Sequence, residues 1–383
     1  MRVVCWVLGV VALSVVSSGQ DFADHFEMLP ISGDDCLCLP YYQCANGSVI
    51  DDGASLIDIR MRNPGCDNYL DVCCKTPRGG EEEAAVVQPG VNEVFAGGCG
   101  ARNPQGVGFR ITGATDHEAQ FGEFPWMSAV LLSAGAEEAS PTAPKVERVL
   151  VYLCGGSLIH PRVVLTGAHC VASHVNETLN VRVGEWDSQT SKEIFRHQDR
   201  DVSEILVHPD FRKETLYNDV ALLVLSESVY PAKHIGFACL PPQGQVTPPN
   251  TRCLASGWGK DAFGKEGKYQ SILKKVEMPV VEHTKCQLYL RRTRLGLFFK
   301  LHRSFMCAGG EKGKDTCKGD GGSPLMCPHA KDAERYMQSG IVAWGIGCSD
   351  QATPGVYTHV ALFRDWVDEK MRERTLETSY YTL

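Results

Sequence analysis

The chain has 383 residues and a formal charge of −8 at pH 7. This length allows a signal, one large domain and one small domain, and the acidic balance gives no support to nucleic-acid binding. Seventeen cysteines are present, and the sixteen that follow Cys5 form an even set, which in a secreted chain argues for disulfides rather than metal thiolates.

The N-terminus has the pattern of a secretory signal. Residues 1–19 contain one arginine, an apolar run from Val3 to Val16 and then small residues. Such a segment is expected to be cleaved near Gly19–Gln20, whereas a membrane anchor would need about 20 apolar residues. No later stretch is apolar enough to span a bilayer, so the mature protein is expected to be soluble and extracellular.

Six cysteines lie within residues 36–74. A segment this short cannot bury enough apolar surface by itself, so disulfides must stabilise it, and spacing alone leaves fifteen connectivities open. The following residues, 75–98, are predicted to be an exposed linker. Its central part, 76–90, contains Pro, Gly and three consecutive glutamates and has no apolar period.

Ten cysteines lie in the remaining region, where short apolar runs are separated by Gly, Pro and Asn. This pattern predicts an all-β sandwich or barrel. Residues 361–373 have the apolar spacing of a helix, and the polar insertion 134–148 is predicted to be a surface loop.

Three segments of this region resemble those that carry the catalytic groups of the chymotrypsin family. They are residues 166–170 (TGAHC), 218–223 (NDVALL) and 314–327 (KDTCKGDGGSPLMC). They supply His169, Asp219 and the nucleophile loop in that family's order. The resemblance implies a chymotrypsin-like double β-barrel with a C-terminal helix over residues 99–373.

The chain departs from this family at the position of the nucleophilic serine. When the two cysteines of the loop are aligned, the serine position falls on Gly321, which gives His169 no hydroxyl to deprotonate. Ser323 is too far along the chain, about 5–7 Å between Cα atoms, and Pro324 restricts its backbone. Ala343 also replaces a serine that helps to hold the aspartate. We therefore expect a pseudoprotease, with an active trypsin-like protease as the alternative.

Other family features are retained. Asp315, Gly345 and Gly355 match the specificity pocket for a basic side chain, and a collapsed or blocked pocket is the alternative. The N–H groups of Gly319 and Gly321 match the oxyanion site. Arg110–Ile111 resembles a zymogen cleavage site. Asp320 matches the carboxylate that forms an ion pair with the α-amino group of Ile111 after cleavage. Rival cleavage sites are present at Arg78 and Arg102.

The N-terminal group of cysteines, beginning CLCLPYYQC, is similar to an arthropod clip domain. Clip and protease resemblances together imply eight disulfides: Cys36–Cys73, Cys38–Cys66, Cys44–Cys74, Cys99–Cys239, Cys154–Cys170, Cys253–Cys327, Cys286–Cys307 and Cys317–Cys348. A clip domain that precedes a protease domain without its serine resembles the clip-domain serine protease homologues, which include prophenoloxidase-activating cofactors and masquerade-like proteins.

That family implies a secreted regulator in haemolymph that assists prophenoloxidase activation during melanisation. Its implied partners are prophenoloxidase, the activating protease and an upstream cleaving protease, and a homo-oligomer after cleavage is a further expectation. The sequence does not separate a cofactor from a negative regulator of the same cascade. A protein that recognises microbial surfaces or cells is the alternative from another functional class.

Three further features carry predictions. Residues 184–193 resemble the family's calcium loop, in which Glu185 and Glu193 would offer carboxylates and Asp187 and Thr190 backbone carbonyls; ordinary surface acids are the alternative. Asn46 and Asn176 begin glycosylation sequons. A basic, amphipathic stretch from Lys285 to Arg303, almost all of it between Cys286 and Cys307, is either a solvated helix face or an exosite for an anionic partner. Its basic residues are Lys285, Arg291, Arg292, Arg294, Lys300 and Arg303.

Overall fold

The computed structural model describes residues 98–112, 117–134, 149–189, 193–259, 270–311, 320–346 and 353–383, with five short strands before them. The predicted signal, most of the linker and the insertion 135–148 lie outside the described residues.

The five N-terminal strands fall within or directly after the predicted clip domain. They are β1 (Cys36–Pro40), β2 (Cys44–Ala45), β3 (Ser48–Val49), β4 (Ser55–Asp58) and β5 (Asp71–Lys75). Four of them form a sheet in the order β1-β5-β3-β2, and β4 pairs in parallel with β6 (Phe109–Thr112). The strand β6 contains the predicted cleavage bond Arg110–Ile111.

The first six-stranded barrel is closed in the order β10-β11-β12-β9-β8-β7. Its strands are β7 (Met127–Ala134), β8 (Val149–His160), β9 (Val163–Thr166), β10 (Leu179–Val183), β11 (Gln198–Val207) and β12 (Ala221–Leu225). Apolar side chains such as Leu158, Val181 and Leu223 are fully buried and form its core. Because these strands are buried, their sequences are runs of apolar residues, which is the pattern that predicted β-structure in this region.

The second barrel is closed in the order β13-β14-β15-β18-β17-β16. Its strands are β13 (Arg252–Gly257), β14 (Lys274–Val281), β15 (Phe305–Gly309), β16 (Pro324–His329), β17 (Asp332–Trp344) and β18 (Pro354–His359). Two barrels of this kind confirm the predicted chymotrypsin-like fold. Helices α1 (Ala168–Val171), α2 (His283–Arg291) and α3 (Arg364–Glu373) are the α-helices of the described residues.

One apolar cluster joins the two barrels. It contains Leu165 from the first barrel, Ile341 from the second, and Val367 and Met371 from α3. The predicted C-terminal helix is thus confirmed as α3, preceded by a 3₁₀ turn at Val360–Leu362. Because the helix packs on this cluster, it fixes the position of one barrel against the other and so the groove between them.

Four disulfides join described residues: Cys99–Cys239, Cys154–Cys170, Cys253–Cys327 and Cys286–Cys307. These are the pairs that the protease resemblance implies for these cysteines. The clip pairs and Cys317–Cys348 lie outside the residues whose side chains are described. Cys99–Cys239 matters most for function, because it joins the segment before the cleavage bond to the first barrel.

Candidate functional site

His169 and Asp219 form a tightly held pair where the two barrels meet. His169 lies on the short helix α1, and Asp219 lies fully buried just before β12. The Nδ1 atom of His169 is 2.6 Å from Asp219 Oδ2, and the backbone N–H of His169 donates to Oδ1 at 2.7 Å. Both carboxylate oxygens therefore orient the same histidine, as in a protease that retains its general base.

The residue before Asp219 has an unusual backbone conformation. Asn218 has φ 56°, a left-handed conformation that asparagine adopts more readily than most residues. Its amide side chain donates to the Asp210 carbonyl at 2.9 Å. On the other side, the Thr358 hydroxyl donates to the Asp219 carbonyl at 2.9 Å. These contacts fix Asp219 without any hydroxyl at position 343.

Gly321 lies directly against the free nitrogen of the histidine. A Cβ added to Gly321 would be 2.7 Å from His169 Nε2 and 3.6 Å from Cys154 Sγ. A contact under 3.0 Å forces something to move, so the imidazole occupies space that a side chain would need. Position 321 therefore presents no side-chain oxygen to the histidine.

Ser323 has its hydroxyl next to Gly155 and Gly257. It is completely buried, and its hydroxyl has no hydrogen-bond partner among the described residues. A Cβ added to Gly155 would collide with Ser323 Oγ, which places this hydroxyl under β8. The preceding Gly322 has φ 79° and turns the chain between the two positions. The buried Ser323 hydroxyl therefore makes no hydrogen bond with His169, which a substitute nucleophile would need.

Ala343 lies near the end of β17, where the family has a serine. Its side chain is buried in an apolar cluster with Phe305 and Val356. The next residue, Trp344, has Phe299 and Phe305 edge-on to its ring, with centroids 6.2 Å and 5.9 Å away. Apolar packing rather than hydrogen bonding thus surrounds this part of the groove.

The pocket remnant is described only in part. Gly355 is buried in β18, opposite Ala308 of β15, and Gly345 follows β17 in a half-buried position. Asp315 and Gly319 lie outside the described residues, so the predicted basic-side-chain socket and oxyanion site remain predictions. The Gly321 carbonyl accepts a hydrogen bond from the Gly155 N–H at 2.9 Å.

Asp320, the predicted latch, lies beside the last residues of β13. Its Oδ1 accepts a hydrogen bond from the Gly259 N–H at 2.9 Å. A Cβ on Gly257 or Gly259 would collide with this carboxylate, so both glycines make room for it. The carboxylate is therefore positioned in the intact chain before any cleavage.

Arg102, one of the rival cleavage sites, is held in a charged network. Its guanidinium binds the fully buried carboxylate of Glu123 and donates to the Tyr336 hydroxyl at 3.3 Å. Burial alone would lower the pKa of Arg102, but the Glu123 carboxylate outweighs it and the net shift is upward. Lys275 binds the same carboxylate at 2.7 Å. Extending Arg102 into a protease would break this network, so we expect its bond to resist cleavage. The other rival site, Arg78, lies outside the described residues.

The comparisons with known proteins agree with this geometry. The trypsin family model matches residues 114–367, and the clip-domain model of serine proteases matches residues 29–75. Phenoloxidase-activating factor 2 of Galleria mellonella is 56% identical over 301 residues, which cover 79% of this chain and 98% of that protein. The chain is a clip-domain serine protease homologue.

Two further relatives cover almost the whole chain of this clip-domain serine protease homologue. Inactive CLIP domain-containing serine protease A8 of Anopheles gambiae is 37% identical, over 92% of this chain and 93% of its own. Phenoloxidase-activating factor 3 of Holotrichia diomphalia is 30% identical, over 95% and 99%. The resemblance thus includes both the clip and the protease regions.

The predicted calcium loop of this homologue brings two buried carboxylates together. Glu185 and Glu193 are both buried, and their ligand atoms lie within 4.8 Å of each other and of His197. Burial, followed by the nearby Glu185 charge, raises the pKa of Glu193 well above its usual value. Glu193 Oε1 accepts from the N–H groups of Trp186 and Asp187, at 3.0 Å and 2.8 Å.

The second oxygen of Glu193, Oε2, is buried without a hydrogen-bond partner among the described residues. Arg182 partly neutralises Glu185, since its Nη1 lies 3.2 Å from Glu185 Oε2. His197 Nδ1 lies 3.3 Å from the same oxygen. His197 was not among the predicted ligands, and only the fold brings it to the loop. Thr190 lies outside the described residues. An unpartnered oxygen in a pair of buried carboxylates fits a hard cation.

The sequon at Asn176 lies in an exposed loop just before β10. Asn176 and Thr178 are both exposed, so the site is accessible to glycosylation. Asn46 lies outside the described residues. No helix in the described part of the chain is long and apolar enough to cross a membrane.

Proposed function

We propose that this protein is a secreted, non-catalytic cofactor of the protease cascade that activates prophenoloxidase in arthropod melanisation. The single observation that carries the non-catalytic part is Gly321 against His169 Nε2, where no nucleophile is available. The cascade is supported by the similarity to phenoloxidase-activating factors and to inactive CLIP-domain proteases. The barrels then act as a binding platform for cascade proteins, with the clip domain as a second contact.

The test is a reconstitution with purified prophenoloxidase, its activating protease and this protein after cleavage. Phenoloxidase activity is expected to rise severalfold above the level that the activating protease produces alone. A matched sample carrying His169→Ala should support the same activity, because the proposal assigns no chemistry to the histidine. A fall in activity on addition of the cleaved protein would instead identify a negative regulator. Loss of activity in His169→Ala with an unchanged Tm would contradict the non-catalytic role; the Tm is needed because His169 also pairs with the buried Asp219.

We also propose a structural calcium ion in the loop 184–193. Glu185 and Glu193 would supply carboxylate oxygens, and Asp187 and Thr190 would supply backbone carbonyls. When bound, the cation would offset the repulsion between the two carboxylates and stabilise the loop. The support is the donor set and the unpartnered Glu193 Oε2 described above.

Calcium at a hundredfold excess over its Kd is expected to stabilise the folded protein by about 2.7 kcal/mol. For a domain of this size that corresponds to a rise in Tm of several degrees. Thermal unfolding in calcium, in magnesium and in chelator measures it. Glu193→Gln should abolish the calcium effect, whereas Glu214→Gln, an exposed acid elsewhere, should retain it. An equal response of both variants to calcium would rule out the loop as the site.

A further inference from the structure

Residues 285–303, which include most of α2 and the loop that follows it, combine a run of basic residues with exposed apolar side chains. The six basic residues named above all lie here, and no Asp or Glu occurs from residue 283 to residue 310. This is a concentrated positive charge on a chain whose net charge is −8. We call the exposed side chains of residues 285–303 the basic–apolar patch.

The positive charges of the patch are not neutralised by the described part of the molecule. No described acidic side chain forms an ion pair with any of the six basic residues. Lys285 and Arg292 lie over the ring of Tyr289, each 5.8 Å from its centroid. Arg291 uses its Nε to donate to the Phe299 carbonyl at 2.8 Å. Five of the six basic residues are exposed and Arg291 is half-buried, so most of this charge faces solvent in the described structure.

The patch also exposes apolar side chains. Phe298 is 96% exposed and Leu297 76%, and Leu288 and Leu295 are exposed as well. These four are among only ten large apolar side chains that are exposed in the described residues. Burying one such side chain fully is worth about 1.5–3 kcal/mol. A cluster of them that the fold leaves in water marks an interaction site.

The core beneath the patch is complete without these side chains. Leu290, Leu301 and Phe305 are buried there, and Cys286–Cys307 ties α2 to β15. The loop is ordered by its own hydrogen bonds, including Leu301 N–H to Gln287 Oε1 at 3.0 Å. Its tip turns at Gly296, which has φ 78°. The apolar tip is therefore held in place in advance, which lowers the entropy cost of binding.

The patch is continuous with the former substrate groove. Phe299, next to the exposed Phe298, has its ring edge-on to Trp344, with centroids 6.2 Å apart. Trp344 directly precedes Gly345 of the pocket remnant. A partner bound to the patch could thus extend into a groove that no longer performs hydrolysis.

We propose that the basic–apolar patch is the docking surface for an acidic segment of a partner protein, one that alternates carboxylates with large apolar side chains. Charge complementarity carries this choice, since the surface combines cations with apolar groups and contains no carboxylate. Four of its six cations are arginines, which bind carboxylates in a bidentate manner. Arginine and aromatic residues are also the types enriched at protein–protein interfaces. An anionic membrane is disfavoured because the chain as a whole is acidic.

The proposal is tested on the full secreted protein with three fluorescent peptides of equal length. One alternates Glu with Phe and Leu, the second replaces Glu by Gln, and the third replaces Phe and Leu by Ser. Fluorescence anisotropy should show binding of the first peptide at least tenfold tighter than that of the other two. Rising salt should weaken this binding, because exposed charges are screened.

Two double variants should each weaken binding of the first peptide at least tenfold: Leu297→Ser with Phe298→Ser, and Arg292→Glu with Arg294→Glu. All four side chains are exposed, so the variants should fold, which an unchanged Tm verifies. Matched controls elsewhere on the surface are Arg212→Glu with Lys213→Glu, and Val246→Ser, which should bind like the unaltered protein.

Several outcomes would overturn the proposal. Equal binding of all three peptides, absence of binding, or equal losses in the control variants would remove the docking surface. Binding to vesicles of anionic phospholipid that the Leu297 and Phe298 changes abolish, without peptide binding, would identify a membrane site instead. Self-association in sedimentation that the same changes abolish would identify a second copy of the chain as the occupant.

Discussion

The protein, intact or cleaved, is expected to hydrolyse Arg and Lys peptide substrates no faster than a buffer blank. Loss of the serine alone removes about 10⁶-fold of the rate in a serine protease. Gly321 offers no oxygen to His169, and the buried hydroxyl of Ser323 points under β8. Steady-state hydrolysis of chromogenic Arg and Lys substrates, with active-site titration by a serine-directed reagent, measures this.

Restoring the serine is not expected to restore the enzyme. In Gly321→Ser the new Cβ would lie 2.7 Å from His169 Nε2, so the imidazole must move and strain its 2.6 Å contact with Asp219. The double variant Gly321→Ser with Ala343→Ser is compared with Gly321→Ser, because it also restores the hydroxyl that the family has at position 343. Turnover by the unaltered protein that disappears in Ser323→Ala would contradict this account of the site.

The catalytic positions could be located from the sequence because each lies in a short local motif. His169, Asp219 and Gly321 are identified by their neighbours in the chain, and the disulfides of the barrels follow from the same alignment. The apolar runs predicted an all-β sandwich or barrel, since buried strands leave a clear local pattern, and the resemblance to the chymotrypsin family predicted the two barrels. Local patterns of this kind need no knowledge of what the chain contacts elsewhere.

The parts that sequence could not supply depend on contacts between distant residues. Arg102 looked like an ordinary basic cleavage site until the fold placed it on the buried carboxylate of Glu123, which Lys275 shares from far along the chain. Likewise, nothing local joins His197 to Glu185, and the direction of Ser323 depends on the left-handed turn at Gly322. Such contacts are determined by tertiary packing and produce no periodic pattern in the sequence.

Cleavage at Arg110–Ile111 is expected to convert the protein from an inactive precursor into a binder. The freed Ile111 amine would pair with the carboxylate of Asp320, which the Gly259 N–H already orients in the intact chain. In active relatives that pairing orders the loops around the pocket, and here the same ordering would complete a docking surface. A buried ion pair of this kind is worth a few kcal/mol when one partner is removed, so the cleaved form should melt several degrees higher than the precursor.

The decisive comparison uses Arg78→Gln, Arg102→Gln, Arg110→Gln and Asp320→Asn, each exposed to an upstream trypsin-like protease. Of these variants, only Arg110→Gln should resist cleavage. Arg110→Gln and Asp320→Asn should show no rise in Tm after exposure to the protease and should not support phenoloxidase activation. The other two variants should behave like the unaltered protein in both assays. In the unaltered protein the two pieces should separate on gels only after reduction, because Cys99–Cys239 joins them. Arg102→Gln should be cut normally, although it weakens the Glu123 network. If the uncleaved precursor and all three arginine variants supported phenoloxidase activation equally well, proteolysis would not be the switch, and the retained Asp320 would be only a structural carboxylate of its loop.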